Sequence, residues 1–113
     1  MKIINTSKNT ILADHAEIAD TVLSRLIGLL NRSALSPREA LVITQCRAIH
    51  MFFMRFPIDA VFVGKDNRVV GLVEGIQPFR ISPYFLKASY VIELPAGTIK
   101  GTATTRGDII LLQ

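Results

Sequence analysis

The sequence lacks several features that mark secreted or membrane proteins. It has a single cysteine, Cys46, so no internal disulfide can form, which suits a reducing compartment. Its uninterrupted apolar runs, such as Ile109–Leu112, are short, whereas a membrane-spanning helix needs about 20 apolar residues. The opening segment MKIINTSKNT lacks the apolar centre of a signal peptide. We therefore expect a soluble, cytoplasmic protein without a transmembrane segment.

Clustered positive charge is also lacking. The chain carries 13 Lys and Arg against 9 Asp and Glu, a formal net charge of +4, but no two arginines adjoin. Surfaces that bind nucleic acid usually cluster their cations or interleave them with aromatic side chains. Scattered cations are more typical of solvated faces, so we do not expect nucleic acid among the partners.

Catalytic signatures and internal repeats are absent as well. The chain contains no GxSxG, HExxH, GxGxxG or phosphate-binding loop motif. No repeat, heptad pattern or linker divides its 113 residues, a length that fits one domain, residues 1–113. A domain of this size buries roughly two-thirds of its unfolded surface, enough for a core without a structural metal.

Short β-prone runs separated by turn-forming residues dominate the pattern. Lys2–Asn5 and Thr10–Ala13 indicate an opening hairpin, and Ile58–Val63 with Arg68–Ile76 indicate a second one. Further strands are predicted at Ala40–Ile43, Tyr90–Leu94 and Asp108–Leu112. The segment Gln77–Ala88 is predicted to be a loop whose aromatic side chains fold onto the core, and Ala96–Gly107 is predicted to form turns or short extended pieces.

One amphipathic helix is predicted near Asp20–Leu30, because apolar residues from Ile18 to Leu30 recur at spacings of three to five and Asp20 can serve as the N-cap. Strands and helices do not alternate along the chain. The predicted fold is therefore mainly β (α+β): a compact antiparallel β-sandwich or barrel with that helix packed on it.

The strongest candidate for a functional site is the stretch Cys46–Val63. It contains the only cysteine, one of two histidines and two of three methionines. Cys46, His50 and Met54 lie four residues apart, so they share one face of a strand and nearly share one face of a helix. An extended chain would separate Cys46 and His50 by about 13 Å, whereas a helix or turn brings them to about 6 Å. Only the turned conformation lets them act together.

Three interpretations of this stretch remain open. Free cysteine and methionine are common core residues, so packing alone explains them. In the sharper interpretation Cys46, His50 and Asp59 line a common hollow, with His50 activating the thiol and Asp59 orienting the imidazole. A metal variant is also conceivable, although structural zinc needs four ligands and copper(I) prefers thiolate and thioether. We predict no cofactor and no metal.

Two carboxylates, Asp59 and Glu93, each lie between apolar neighbours. A buried, unpaired carboxylate costs several kcal/mol, so each is predicted to be paired, hydrogen-bonded or exposed. Arg55 is close to Asp59 in sequence. The two could form a structural pair, or the arginine could anchor a carboxylate or phosphate of a ligand.

Four motifs recur in an order that resembles the domain-of-unknown-function 192 family of bacteria and archaea. They are RxxGLL at Arg25–Leu30, CRAIHMFFMRFPIDAVF at Cys46–Phe62, VIELPAG at Val91–Gly97 and GD at Gly107–Asp108. The resemblance covers nearly the whole chain. It implies a compact β-sandwich or barrel of jelly-roll type with a packed helix. It implies no reaction, because the family has no established one, and some relatives look exported.

The family's motif positions supply the candidate binding residues: Arg25, Cys46, His50, Met54, Arg55, Asp59, Glu93 and Asp108. We expect a non-enzymatic module that binds a small molecule or a protein segment in a cleft. The Cys46–Asp59 loop and the strand of Glu93 would border this cleft. The alternative is a thiol- or metal-assisted enzyme that uses Cys46, His50 and Asp59. The oligomeric state does not follow from the sequence.

Overall fold

The structure, a computed structural model, describes all 113 residues. The chain is mostly β, with two sheets and two short helices. Its elements are β1 (Ile3–Asn5), β2 (Thr10–Ala13), β3 (His15–Ala19), α1 (Val22–Ile27), β4 (Glu39–Thr44), β5 (Ile58–Gly64), β6 (Val69–Ile76), β7 (Ala88–Pro95), α2 (Thr98–Thr102) and β8 (Ile110–Leu112). No helix is long and apolar enough to span a membrane.

The strands form a three-stranded sheet in the order β2-β1-β8 and a five-stranded sheet in the order β3-β4-β7-β5-β6. Both predicted hairpins, β1 with β2 and β5 with β6, are present and antiparallel. The pair β3 with β4 is parallel, which the sequence reading did not anticipate. Parallel neighbours need a crossover connection. Here α1 and the turns around it form that connection, from the end of β3 to the start of β4.

Side chains of the five-stranded sheet alternate between two cores. Val61 and Ile92 face the three-stranded sheet and pack in one apolar cluster with Ile3. Phe62 and Val91, each one residue away, face the opposite side and pack against residues that follow β4. Because successive side chains of a strand point to opposite faces, the large sheet is buried on both sides. The mainly β, sandwich-like prediction is confirmed, and neither sheet closes into a barrel.

The helix α1 is shorter than predicted, and its apolar side chains are not buried against the core. Its N-cap is Thr21, which forms a capping box with Ser24, rather than Asp20. None of its residues is buried, and Leu26 is 71% exposed. The helix ends at Gly28, whose φ of 50° lies in the left-handed region that glycine tolerates. Ile18, which contributed to the predicted stripe, belongs to β3 instead.

Two other segments differ from the prediction. The helix α2 lies in a segment predicted to form turns, where glycines and threonines weaken the helical signal. The aromatics of the loop that precedes β7 were expected to fold onto the core, and only Phe85 does so. Its ring packs 4.6 Å from that of Phe62 and covers Gly71, where a Cβ would overlap the ring. Phe79 and Tyr84 are mostly exposed.

Candidate functional site

Residues 46–54 form an irregular segment that is held in place by residues 79–85. The backbone N–H of Met51 donates to the carbonyl of Arg80 at 2.7 Å, and the N–H of Phe79 donates back to the carbonyl of Met51 at 2.8 Å. These backbone bonds satisfy polar groups that lie outside both sheets. The segment is therefore fixed by partners distant in sequence rather than by regular secondary structure.

A turn within this segment decides which way its side chains point. Phe53 adopts a φ of 65°, and the N–H of Met54 donates to the carbonyl of Met51 at 3.2 Å. The chain folds back at this point, and Cys46, His50 and Met54 line one cavity. The turn lies at Met51–Met54, and the stretch from Cys46 to His50 is irregular rather than helix or strand.

The cavity has a volume of about 110 Å³ and lies between α1, the 46–54 segment and strands β4 and β7. Its walls are mostly apolar, and it brings together five of the eight candidate residues: Arg25, Cys46, His50, Met54 and Glu93. Pockets for drug-sized ligands occupy roughly 300–1,000 Å³, whereas an engineered cavity of about 150 Å³ holds benzene. The size therefore suits a short alkyl group or a single side chain of a partner.

Glu93 lies at the centre of the large sheet and faces this cavity. Its side chain alternates with those of Ile92 and Leu94, which face the opposite core. It is only 6% exposed and has no hydrogen-bond or ion-pair partner, and burial raises its pKa to about 7. No fully enclosed side-chain polar atom of the chain lacks a partner. The Glu93 oxygens, which have none, therefore reach the open space of the cavity.

Cys46 is half-buried and holds a neutral thiol. Its Sγ donates to the carbonyl oxygen of Ala48 at 3.1 Å. Burial raises the pKa of the Cys46 thiol above its ordinary value, and the charge of Glu93 adds to this rise. The backbone hydrogen bond with Ala48 and the charge of Arg25 oppose it. Because the thiolate is the reactive form of cysteine, Cys46 is a weak nucleophile near neutral pH.

His50 lies at the exposed rim of the cavity. Its ring stacks on that of Phe52 with centroids 5.2 Å apart, and its Nδ1 accepts a hydrogen bond from the Phe52 N–H at 3.4 Å. The residue also forms an isolated β-bridge with Ile81. No carboxylate lies within ion-pair distance of the imidazole. His50 is therefore available to a ligand at the rim, without an acidic residue that orients it.

Arg25 approaches the cavity from α1. Its Nη1 donates to the backbone carbonyl of Asp20 at 2.9 Å, and its guanidinium has no carboxylate within ion-pair distance. The cavity therefore combines an unpaired acid on its sheet wall with an unpaired cation on its helix wall.

Asp59 does not line the cavity, although it was expected to share a hollow with Cys46 and His50. It is fully buried on the opposite face of the large sheet, because it alternates with Ala60, which packs on the cavity side. Its carboxylate accepts from three backbone N–H groups, those of Gly75 at 2.8 Å, Gly97 at 3.1 Å and Ile99 at 2.8 Å. The acid thus joins the start of α2 to β6.

Arg55 and Asp108 also lie outside the cavity. The pair expected between Arg55 and Asp59 does not form, and Arg55 is exposed without an ion-pair partner. Asp108 is buried near the first hairpin. Burial alone would raise its pKa, but hydrogen bonds from Asn5, Lys8 and Thr105 together lower it well below the usual range. Asp108 therefore ties the end of the chain to its beginning.

The combination of Cys46, His50 and Asp59 is not assembled in the structure. Two of the three line the cavity, and Glu93 provides its acidic group instead. No three His, Cys, Asp or Glu side chains come together in a way that could hold a metal ion. The sequence pattern did point to Glu93 as a candidate residue. That its side chain faces the cavity depends on the register of β7, which the pattern did not define.

Several residues that line the cavity, and one charged surface, were not predicted from the sequence. Ile49 and Met51 line the cavity from a segment whose conformation the sequence did not define. On another face, an open groove gathers three cations that are far apart in sequence, Arg68, Lys87 and Arg106. The groove contains no buried, unpartnered polar group that would point to a ligand.

The fold and the cavity define a small two-sheet β protein with a side pocket. The chain belongs to the DUF192 family, described as "Uncharacterized ACR, COG1430", whose model matches residues 3–112. The UPF0127 protein PH1112 of Pyrococcus horikoshii is 37% identical over an alignment of 114 positions, which covers 96% of each chain. A UPF0127 protein of Thermococcus gammatolerans is 34% identical over 96% of this chain and 72% of its own.

A solved structure shares the fold at low sequence identity. The protein of unknown function from Novosphingobium aromaticivorans superposes with a TM-score of 0.84 at 22% identity, over 98% of this chain and 82% of that one. The five-stranded and three-stranded sheets are therefore a shared architecture, and the likeness concerns the fold alone.

Proposed function

We propose that this protein, acting as one domain of residues 1–113, is a non-enzymatic binding module. Its cavity between α1 and the 46–54 segment takes up a small apolar group, from either a small molecule or a side chain of a protein partner. The single observation that carries this proposal is Glu93, a buried acid without a partner at an opening to a mostly apolar cavity. Buried polar groups are normally paired, so the unpaired acid marks a place for an occupant.

The surface around the cavity supports the same function. Leu26, which lines the cavity, is 71% exposed. Phe53, next to the lining residue Met54 in the chain, and Ile81, which bridges to His50 at the rim, are 77% and 65% exposed. Phe53 also contacts Phe79 edge to face, with ring centroids 6.0 Å apart. Exposed apolar side chains that border a cavity are typical of binding surfaces rather than of inert ones. An occupant would therefore find apolar contacts both inside the cavity and at its rim.

The enzymatic alternative has less support. The Cys46 thiol has a raised pKa and donates to a carbonyl, and Asp59 lies on the other face of the sheet. A nucleophilic cysteine needs a lowered pKa or an adjacent base that an acid orients. A free thiol also accords with the cytoplasmic location predicted from the single cysteine.

The proposal can be tested with n-butanol as a neutral four-carbon probe and ¹³C-methyl methionine NMR as the readout. We expect the methyl signals of Met51 and Met54, which line the cavity, to shift and saturate, while that of Met1 stays unchanged. Ala48→Leu, which fills the cavity, should abolish the shifts, and Ala96→Leu, on an exposed residue elsewhere, should preserve them.

Absence of any shift at Met51 and Met54 with butanol and with charged four-carbon probes, up to tens of millimolar, would reject the proposal. Shifts that persist unchanged in a folded Ala48→Leu variant would do the same, because they would place the probe elsewhere. If Ala48→Leu does not fold, nuclear Overhauser contacts between butanol and the Met54 methyl group decide the question. Their presence supports the cavity as the site, and their absence in a saturated sample contradicts it.

A further inference from the structure

We infer that the occupant of the cavity carries a primary ammonium group on a short alkyl chain, and that the ammonium donates to the Glu93 carboxylate. This inference rests on the proposed function and adds the chemical class of the ligand. Free alkylamines and the side chain of lysine in a partner segment share this chemistry.

The first support is the contrast between Glu93 and every other buried acid of the chain. Asp59 accepts three backbone N–H groups, and Asp108 accepts from Asn5, Lys8 and Thr105. Glu93 is equally buried and accepts nothing. Since a buried carboxylate needs hydrogen bonds and an opposite charge to be stable as an anion, the missing donor is the feature that a ligand would supply.

The second support is the nature of the remaining walls. The cavity is lined by Leu26, Ile43, Ile49, Met51 and Met54, which can pack only on an apolar stem. Of its other polar side chains, the Cys46 thiol donates to the Ala48 carbonyl, Arg25 donates one N–H to the Asp20 carbonyl, and His50 lies at the rim. A ligand with several polar groups would leave most of them unpaired inside. One donor group on an alkyl chain matches this distribution.

The third support is charge. A carboxylate out of water is best compensated by a cation that also donates hydrogen bonds, and an ammonium offers three donors on a compact charge. A neutral alcohol supplies one donor and no charge. The volume of about 110 Å³ admits an alkyl chain of roughly four carbons when compared with the benzene-sized cavity of about 150 Å³. The lysine side chain has this form.

Other charged and titratable groups face the same space and modulate the pairing. Arg25 on α1 opposes a cation, Cys46 on the 46–54 segment is neutral below its raised pKa, and His50 lies at the rim. The strands beside Glu93 place Leu41 and Ala60 opposite it, and neither is charged. Glu93 is therefore the acidic group that the incoming ammonium meets.

The test compares three probes of equal length, n-butylamine, n-butanol and butyrate, by titration of the Met54 methyl signal. We expect butylamine to bind at least about tenfold more tightly than butanol at pH 8, and butyrate to bind most weakly. Glu93→Gln keeps the shape of the side chain and should bring butylamine and butanol to within about threefold of each other. If butylamine has no advantage over butanol in the native protein, the inference fails.

The pH dependence gives a second readout. Because the pKa of Glu93 is about 7 and that of an alkylammonium is about 10, binding should strengthen about tenfold from pH 6 to pH 8 as Glu93 ionises. His50→Gln should keep this slope whatever its affinity, and Glu93→Gln should lose it. A slope of opposite sign would mean that butylamine binds more tightly when Glu93 is protonated and neutral, which would overturn the inference.

A last arm separates the two sources of the ammonium. Nα-acetyl-lysine methylamide presents the same butylammonium group attached to a backbone. If it binds at least as tightly as butylamine, the rim contacts the backbone and the occupant is a lysine of a partner; much weaker binding identifies a free amine. Both results support the ammonium class. Failure of all butyl probes would reject the proposed function itself, whereas butanol binding without an amine preference would reject only this inference.

Discussion

Asp59 and Glu93 show how the same kind of residue acquires opposite roles on neighbouring strands. Both are acids between apolar neighbours in central strands of one sheet, and both are almost completely buried. Asp59 faces the side where α2 and β6 supply three N–H donors. Glu93 faces the side where an irregular loop leaves a cavity, and no donor of the chain bonds to its carboxylate. A satisfied acid holds the fold together, whereas an unsatisfied acid leaves a place for a ligand.

The largest effect is expected where the acid is satisfied. Asp59→Ala would leave three inward N–H groups without an acceptor and should lower the free energy of unfolding by about 3 to 5 kcal/mol. Urea denaturation at pH 7 measures this loss. Asp59→Asn retains one acceptor oxygen and should lose less. A loss below about 1 kcal/mol for Asp59→Ala would show that these hydrogen bonds do not hold α2 on the sheet, and the contrast with Glu93 would collapse.

The second effect concerns the pH dependence of stability at Glu93. Burial raises its pKa from 4.5 to about 7, so the folded protein holds this proton more tightly than the unfolded chain does. The Glu93 contribution is therefore most favourable below pH 4.5 and is lost as the pH rises through 7, a loss of about 3 kcal/mol. Glu93→Gln cannot ionise and should lack this decline.

Urea denaturation of both proteins between pH 4 and pH 8 measures this difference. The difference in unfolding free energy between native protein and variant isolates Glu93, because all other titrating groups are common to both. A difference that does not change with pH would indicate that Glu93 has a donor in solution and would remove the main argument for a ligand site.

The smallest effect is expected at the Cys46 thiol. Its raised pKa predicts that alkylation by iodoacetamide remains slow at neutral pH and reaches half its maximal rate at a higher pH than alkylation of free cysteine does. Glu93→Gln removes a negative charge from the cavity and should lower this midpoint slightly. Free cysteine, alkylated in parallel, provides the reference. A midpoint well below pH 8 would instead favour the thiol-dependent enzyme.

The parts of the fold that follow from local patterns were predictable from the sequence. Both hairpins lie where β-prone runs flank turn residues, and β5 and β7 lie in the predicted positions. The parallel pairing of β3 was not predictable, because His15–Ala19 gains its strand conformation from β4 and has no pattern of its own. The length of α1 was overestimated for a related reason, since one apolar series is divided between a strand and a helix.

The candidate site was predictable in its residues but not in its grouping. Cys46, His50, Met54 and Glu93 are unusual in their sequence context, and the cavity contains all four. Asp59 was grouped with them because it is close in sequence. Alternation along β5 could have separated it, since Asp59 and Val61 share a face and Ala60 shares the other with Phe62. Alternation could not show which segments of the chain pack on each face of the sheet.

The sequence by itself determined the mainly β character, the two hairpins, the absence of a disulfide and the set of polar residues placed among apolar ones. These features depend on local propensity, side-chain alternation and composition, which act over a few residues. Only the tertiary structure decided that Asp59 meets the N–H groups of α2 and that Glu93 faces a cavity. Those outcomes depend on contacts between segments far apart in the chain, and no local pattern encodes which backbone donors a buried carboxylate will reach.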